Sequence, residues 1–97
     1  MTIAVCRVTL RISESHSLKE KRQIVRSVLS RVRERFPVSA AEVDHLDAWQ
    51  TAALGFACVS SDERTANEVI SAVVSFIERN PAGAEVLAIE TELVHAL

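Results

Sequence analysis

Two stretches hold most of the side chains that could do chemistry. In EVDHLDAWQ, residues 42–50, the groups are Asp44, His45, Asp47, Trp49 and Gln50. A histidine near carboxylates can act as a base with an orienting partner, or as part of a metal site. Neighbours in a strand point to opposite faces, so Asp44 and His45 are not expected to act together. His45 and Asp47 share a face only if the strand runs that far, and a third ligand would have to come from His16. No spacing demands that geometry, so we expect no metal, no cofactor and no catalytic residue. The expected role is a hydrogen-bonded loop, with Trp49 packed as its anchor and Asp44 or Asp47 paired to Lys19 or Arg22.

The second stretch is HSLKEKRQIVRSVLSRVRERF, residues 16–36, which holds seven of the eleven Lys and Arg residues. On a helical wheel its apolar stripe centres near Val25. Lys19, Arg22, Arg26 and Arg33 cluster on one flank, while Lys21, Arg31 and Arg35 fall on the other. Only Glu20 and Glu34 oppose them within the helix. A partner along the first flank would meet four cations over ~21 Å, at 1.5 Å rise per residue. That suits a phosphate backbone, and such contacts weaken steeply with salt. The helix start adds free N–H groups and positive potential beside Ser15, His16 and Ser17. The plainer alternatives are a solvated flank, or pairing of these cations with the acidic half of the same chain.

That acidic half is pronounced. Residues 1–36 carry nine basic and three acidic side chains, and residues 37–97 carry two basic and ten acidic ones. The net charge of −2 therefore hides a strong dipole. The 97 residues suffice for one domain, residues 1–97, able to bury a core without staples. No apolar run reaches the ~18 residues of a membrane helix, and no charged segment followed by an apolar signal core opens the chain. The expectation is a cytoplasmic protein. Cys6 and Cys58 lie in apolar runs and read as buried small hydrophobes.

The elements that must position these groups follow from periodicity. Thr2–Ile12 alternates as a half-buried strand. Ser17 and Glu20 form a capping box, and Leu18, Val25, Val28, Leu29, Val32 and Phe36 recur at helical spacing up to Pro37. Val38–His45 and Thr51–Val59 read as strands joined by Leu46–Gln50. Ser60 and Glu63 suggest a second capping box, ahead of a helix marked by Ala66, Val69, Ile70, Val73 and Ile77 and stopped by Asn80-Pro81. Glu85–Leu93 is the last strand, with Leu87, Ile89 and Leu93 on one face. The order βαββαβ predicts an α+β, ferredoxin-like sandwich. Its antiparallel four-stranded sheet would have the order 4-1-3-2 and carry both helices on one face. This topology brings Ser13–Ser17, Leu46–Gln50 and Asn80–Ala84 to one end of the molecule.

The open sheet face lacks the exposed aromatics on which RRM-type modules stack bases. Its outward positions in the third strand are Ala53, Gly55, Ala57 and Val59, a smooth face that could pack against a second copy as a homodimer. Phosphate hydrolysis on this architecture needs a glycine-containing loop after the first strand, and here that loop is SESHS.

HSLKEKR at 16–22, AEVDHLDAWQTAALG at 41–55 and FIERNP at 76–81 together resemble the YlxP-like family, a bacterial domain of unknown function. The resemblance spans nearly the whole chain and implies a ferredoxin-like fold. It also implies a role near the ribosome or RNA, because the family's genes often neighbour those for translation initiation factor two and ribosome-binding factor A. Leu46 and Thr51 depart from the family's usual polar residue and Arg, and the second departure removes a positive charge beside the loop. The expected function is therefore non-enzymatic: RNA or ribosome contact through Lys19, Arg22, Arg26 and Arg33. His16, Ser17, Asp44, His45, Trp49 and Gln50 would form a second contact edge. The alternative is a module that docks an acidic protein such as a translation factor.

Overall fold

The computed structural model describes residues 1–79 and 83–97. Its elements are β1 (Thr2–Arg11), α1 (Leu18–Arg35), β2 (Ser39–Asp44), β3 (Thr51–Ser60), α2 (Glu63–Arg79) and β4 (Glu85–His95). The sheet is antiparallel throughout, in the order β2-β3-β1-β4. This is the expected ferredoxin-like sandwich. β4 runs to His95 rather than Leu93, because Val94 and His95 continue the ladder opposite Ile3 and Thr2. The expected helix stop at Asn80-Pro81 lies outside the described residues.

Alternation on β1 and β3 builds the core. Ala4, Cys6, Val8 and Leu10 point inward beside Ala52, Leu54, Phe56 and Cys58, and all eight are buried. α1 covers β2 and β3 with Val25, Val28, Leu29 and Val32, and α2 covers β1 and β3 with Ala66, Ile70, Val73 and Ile77. Each fully buried Val, Leu or Ile side chain contributes about 2 kcal/mol. Both cysteines are free and buried, and burial raises the Cys6 thiol above its ordinary pKa.

Each edge strand departs from simple alternation once. In β4 the register shifts between the partners of Thr9 and Leu10, so Val86 pairs with Leu10 and Leu87 falls in a bulge. Leu87 therefore does not share the inward register of Ile89 and Leu93, and Val86 packs on the core in its place. In β2 the shift falls at Val43, between Glu42 and Asp44. The bulge lays the Val43 side chain across Gly55, where a Cβ would stand 2.7 Å from Val43 Cγ1. Bulges that twist an edge discourage pairing with another chain.

The helix starts differ in how well the sequence anticipates them. At α1 the Ser17 hydroxyl accepts from the Glu20 N–H at 3.1 Å, while the Glu20 carboxylate accepts from the His16 N–H at 2.6 Å. At α2 the cap is Asp62 rather than Ser60. Its carboxylate accepts from the Arg64 N–H and the Thr65 hydroxyl, and Ser60 only supports the turn by accepting from the Asp62 N–H. A carboxylate is the stronger acceptor at the positive end of a helix dipole. These bonds hold the Asp62 pKa below the usual aspartate value, with the Thr65 hydroxyl the largest cause. A depressed folded-state pKa contributes stability above the unfolded value, lost as pH falls through the folded one. Asp62→Ala is thus expected to melt at a lower temperature than the native chain at neutral pH. The gap between the two melting curves should close as pH falls below about 4. A gap that persists at pH 2 would remove the cap from the account of acid stability.

Candidate functional site

The first flank of α1 stands open. Lys19, Arg22, Arg26 and Arg33 are all exposed. Among the described residues, Lys19, Arg22 and Arg26 make no side-chain hydrogen bond or ion pair. Arg33 is committed: its guanidinium donates to the carbonyl of Ala40 in edge strand β2. That contact shows where the flank lies, along the β2 border of the sheet. On the other flank, Arg35 stands 4.9 Å over the Phe76 ring of α2, and Phe76 meets Phe36 edge-on. The acidic half of the chain thus leaves three of the four proposed cations unpaired among the described residues.

Lys21 departs from the wheel reading altogether. It is fully buried rather than on an outer flank. Its Nζ donates to Glu42 Oε2 at 2.6 Å and to the carbonyls of His45 at 2.9 Å, Leu46 at 3.2 Å and Thr51 at 3.4 Å. A buried ammonium is tolerable only when paired and fully hydrogen-bonded, and Lys21 meets both conditions. The sequence did hold a signal. Lys21 sits four residues before Val25, in line with Val25, Val28 and Val32, so its stem belongs to the apolar stripe.

Lys21 also replaces the pairings expected of the loop, since its partner is Glu42 and neither Asp44 nor Asp47 bonds Lys19 or Arg22. The Asp44 carboxylate instead accepts from the His45 N–H at 2.7 Å, and His45 turns the chain at φ 58°. Positive φ is uncommon for a non-glycine residue but favoured by histidine, asparagine and aspartate. The Ala48 N–H then closes the turn onto the His45 carbonyl. At the far end of the loop, Gln50 Nε2 donates to the carbonyls of Ser13 and Ser15, and the Gln50 carbonyl accepts from Ile12. The expected meeting of Ser13–Ser17 with Leu46–Gln50 is therefore present. Within the third segment, Asn80–Ala82 lie outside the described residues, while Ala84 is buried.

Trp49 does not anchor this loop. It is 55% exposed, and Leu46 is 53% exposed. Lys21 and Gln50 do the anchoring, so a fixed backbone holds two apolar side chains out to solvent. His16 is exposed beside the half-buried cap residue Ser17. His95 lies with its Nε2 3.6 Å from Glu63 Oε2. Among the described residues no group of three or more His, Cys, Asp and Glu side chains could hold a metal ion. No helix among them is long and apolar enough to cross a membrane.

Residues 3–91 match the family described as a protein of unknown function (DUF503). An uncharacterised protein of Bacillus subtilis (strain 168), YlxP, is 37% identical over 70 residues, covering 72% of this chain and 76% of YlxP. Among solved structures, the de novo designed protein LFR1 1 with ferredoxin fold is similar at a TM-score of 0.58 and 15% identity, covering 100% of this chain and 88% of that one. The de novo designed protein Foldit4 is similar at a TM-score of 0.54 and 13% identity, with both chains fully covered. The two designs bear on the fold alone.

Proposed function

This chain belongs to the DUF503 family, whose function is unknown, so we propose a role from its own surface: a non-enzymatic protein that docks on RNA of the ribosome or of its assembly intermediates. Lys19, Arg22 and Arg26 on α1 supply the phosphate contacts. The observation that carries this reading is that these three cations are exposed and unpaired among the described residues of an otherwise acidic chain. Unpaired cations in a row cost self-repulsion, which an anionic partner relieves. The second contact is the edge built from His16, Ser17, Asp44, His45, Trp49 and Gln50. There Trp49 offers a large, pre-positioned apolar surface. The family's genomic company, next to translation genes, points the same way.

Co-sedimentation of the purified protein with ribosomal subunits tests the reading. Three phosphate contacts on single-stranded RNA give a slope of about −2 in log affinity against log salt, so binding should fall about twentyfold from 50 to 200 mM salt. Trp49 is the single tryptophan of the chain, so its emission reports directly on the edge. Emission should shift on binding, and RNase should abolish both signals. Absence of co-sedimentation at low salt would overturn the proposal. Binding that survives RNase would overturn it in favour of an acidic protein partner.

A further inference from the structure

β3, TAALGFACVS, carries no charged residue on either face. A strand of an antiparallel sheet with one side in water alternates apolar and polar residues, whereas a nearly continuous apolar run belongs to a strand covered on both sides. The helices cover one side of β3. On the other side Ala53, Gly55, Ala57 and Val59 face outward: Val43 lies over Gly55, Ala53 is buried, Gly55 and Ala57 are half-buried, and Val59 is exposed. Val5 of β1 and Ala41 and Val43 of β2 border Gly55 and Ala57, forming a shallow apolar groove.

The charges around this groove complement one another through a two-fold axis. Arg7 pairs in register with Gly55, Thr9 with Ala53 and Arg11 with Thr51. On the opposite side of β3, Asp44 also pairs with Ala53. Asp44 therefore stands at the level of Thr9, midway between the two arginines. Arg7 is held by Glu90 through bonds of 3.0 and 2.9 Å, with Asp44 only a lesser negative neighbour. Arg11 has no partner among the described residues. An axis along β3, between two stacked faces, lays β2 of one copy over β1 of the other. Each Asp44 then meets the gap between Arg7 and Arg11 of the second copy, while the exposed Val43 and Val59 supply apolar contact.

We propose that the open sheet face is the interface of a homodimer formed by stacking two copies about this axis. β3 over β3 overlaps ten residues and each β2 over β1 only six, which covers about 350 Å² per copy, from strand spacings near 4.8 Å and a rise near 3.3 Å. That is below the roughly 800 Å² per partner of a standard interface. An interface this small predicts a weak dimer, favoured at high concentration. The proposal does not depend on the RNA reading, although it draws Asp44 out of the proposed RNA edge into the dimer seam, and it leaves both α1 flanks on outer surfaces, facing away from each other.

Analytical ultracentrifugation between about 1 and 500 μM tests it, a range that extends to weak association. The mass should rise towards twice the 10.7 kDa of the chain. Ala57→Arg should raise the dissociation constant at least tenfold, and Arg11→Glu should do so at low salt only. Combining Arg11→Glu with Asp44→Lys should restore association. Thermal melts at low concentration separate lost association from lost folding, and Arg11→Glu, on an exposed side chain, decides the matter if Ala57→Arg fails to fold. A native chain that stays monomeric across the range, or that associates equally with Arg11→Glu and Ala57→Arg in place, would overturn the proposal.

Discussion

Lys21→Met lowers the unfolding midpoint by at least about 12 °C. Removing one partner of a buried ion pair costs about 3–5 kcal/mol, because the other charge stays buried and uncompensated. Each kcal/mol shifts the midpoint of a domain this size by about 4–8 °C. The geometry supports the upper class of effect: Lys21 is fully buried and the Glu42 side chain is only 14% exposed. Methionine keeps most of the aliphatic stem and isolates the loss of the ammonium. Adding Glu42→Leu should recover part of the loss, because the orphaned carboxylate goes too. It cannot recover all of it, since the carbonyls of His45, Leu46 and Thr51 still lack their donor. Thermal and denaturant melts of both singles and the double give the coupling energy. A Lys21→Met variant that melts within about 2 °C of the native chain would remove Lys21 as the anchor of the hairpin.

Changing Lys19, Arg22 and Arg26 together to Glu weakens RNA or subunit binding by at least about 100-fold at 50 mM salt and removes its salt dependence. Three attractive contacts become three repulsions, and the flank acquires the sign of the rest of the chain. Arg33 stays unchanged in this variant, because its bond to Ala40 braces β2 against α1 and its loss would confound binding with folding. The three substituted side chains are exposed and unpaired among the described residues, so the melting midpoint should stay within about 3 °C, as surface changes usually do. Single changes to alanine should each reduce the salt slope by about 0.7. Equal co-sedimentation of native and triple-Glu chains would sink the helix flank as a docking surface and leave the Trp49 edge to be tested alone.

Local pattern made most of this fold legible. Alternation in Thr2–Ile12 and Thr51–Val59 located the central strands, and the Val25–Val32 stripe located the face of α1 that enters the core. What escaped notice depends on the third dimension. The helical wheel alone sets Lys21 among the flank cations. Its burial depends on a carboxylate 21 residues on and on three loop carbonyls that only the folded hairpin presents. A large aromatic such as Trp49 is expected to bury its ring, yet two polar side chains already hold its loop, so the indole is not needed inside. Asp62 and not Ser60 is the cap because α2 starts at Glu63, which puts Asp62 directly before its first turn. Leu87 lost its inward place to a bulge, which leaves little trace in a single sequence. Of the candidate site, the flank of Lys19, Arg22 and Arg26 was legible, and the clamp beneath the edge was not.

The strand order sets the order in which this chain can complete itself during synthesis. β1 is made first, yet its two neighbours in the sheet are β3 and β4, and Thr2 finds one of its partners in His95. No native pairing is open to β1 until more than half of the described chain has emerged, and its second edge waits for β4. Non-local pairings of this kind are the slow ones, and the unpaired strand is exposed in the meantime. Lys21, Glu42 and Thr51, by contrast, lie within 31 residues of chain. The clamp can therefore close as a nascent α1–β2–β3 unit, giving β1 a formed strand to pair with before β4 exists. A chain stalled after Ser60 would report the clamp, through protection of the hairpin, before any report of the finished sheet.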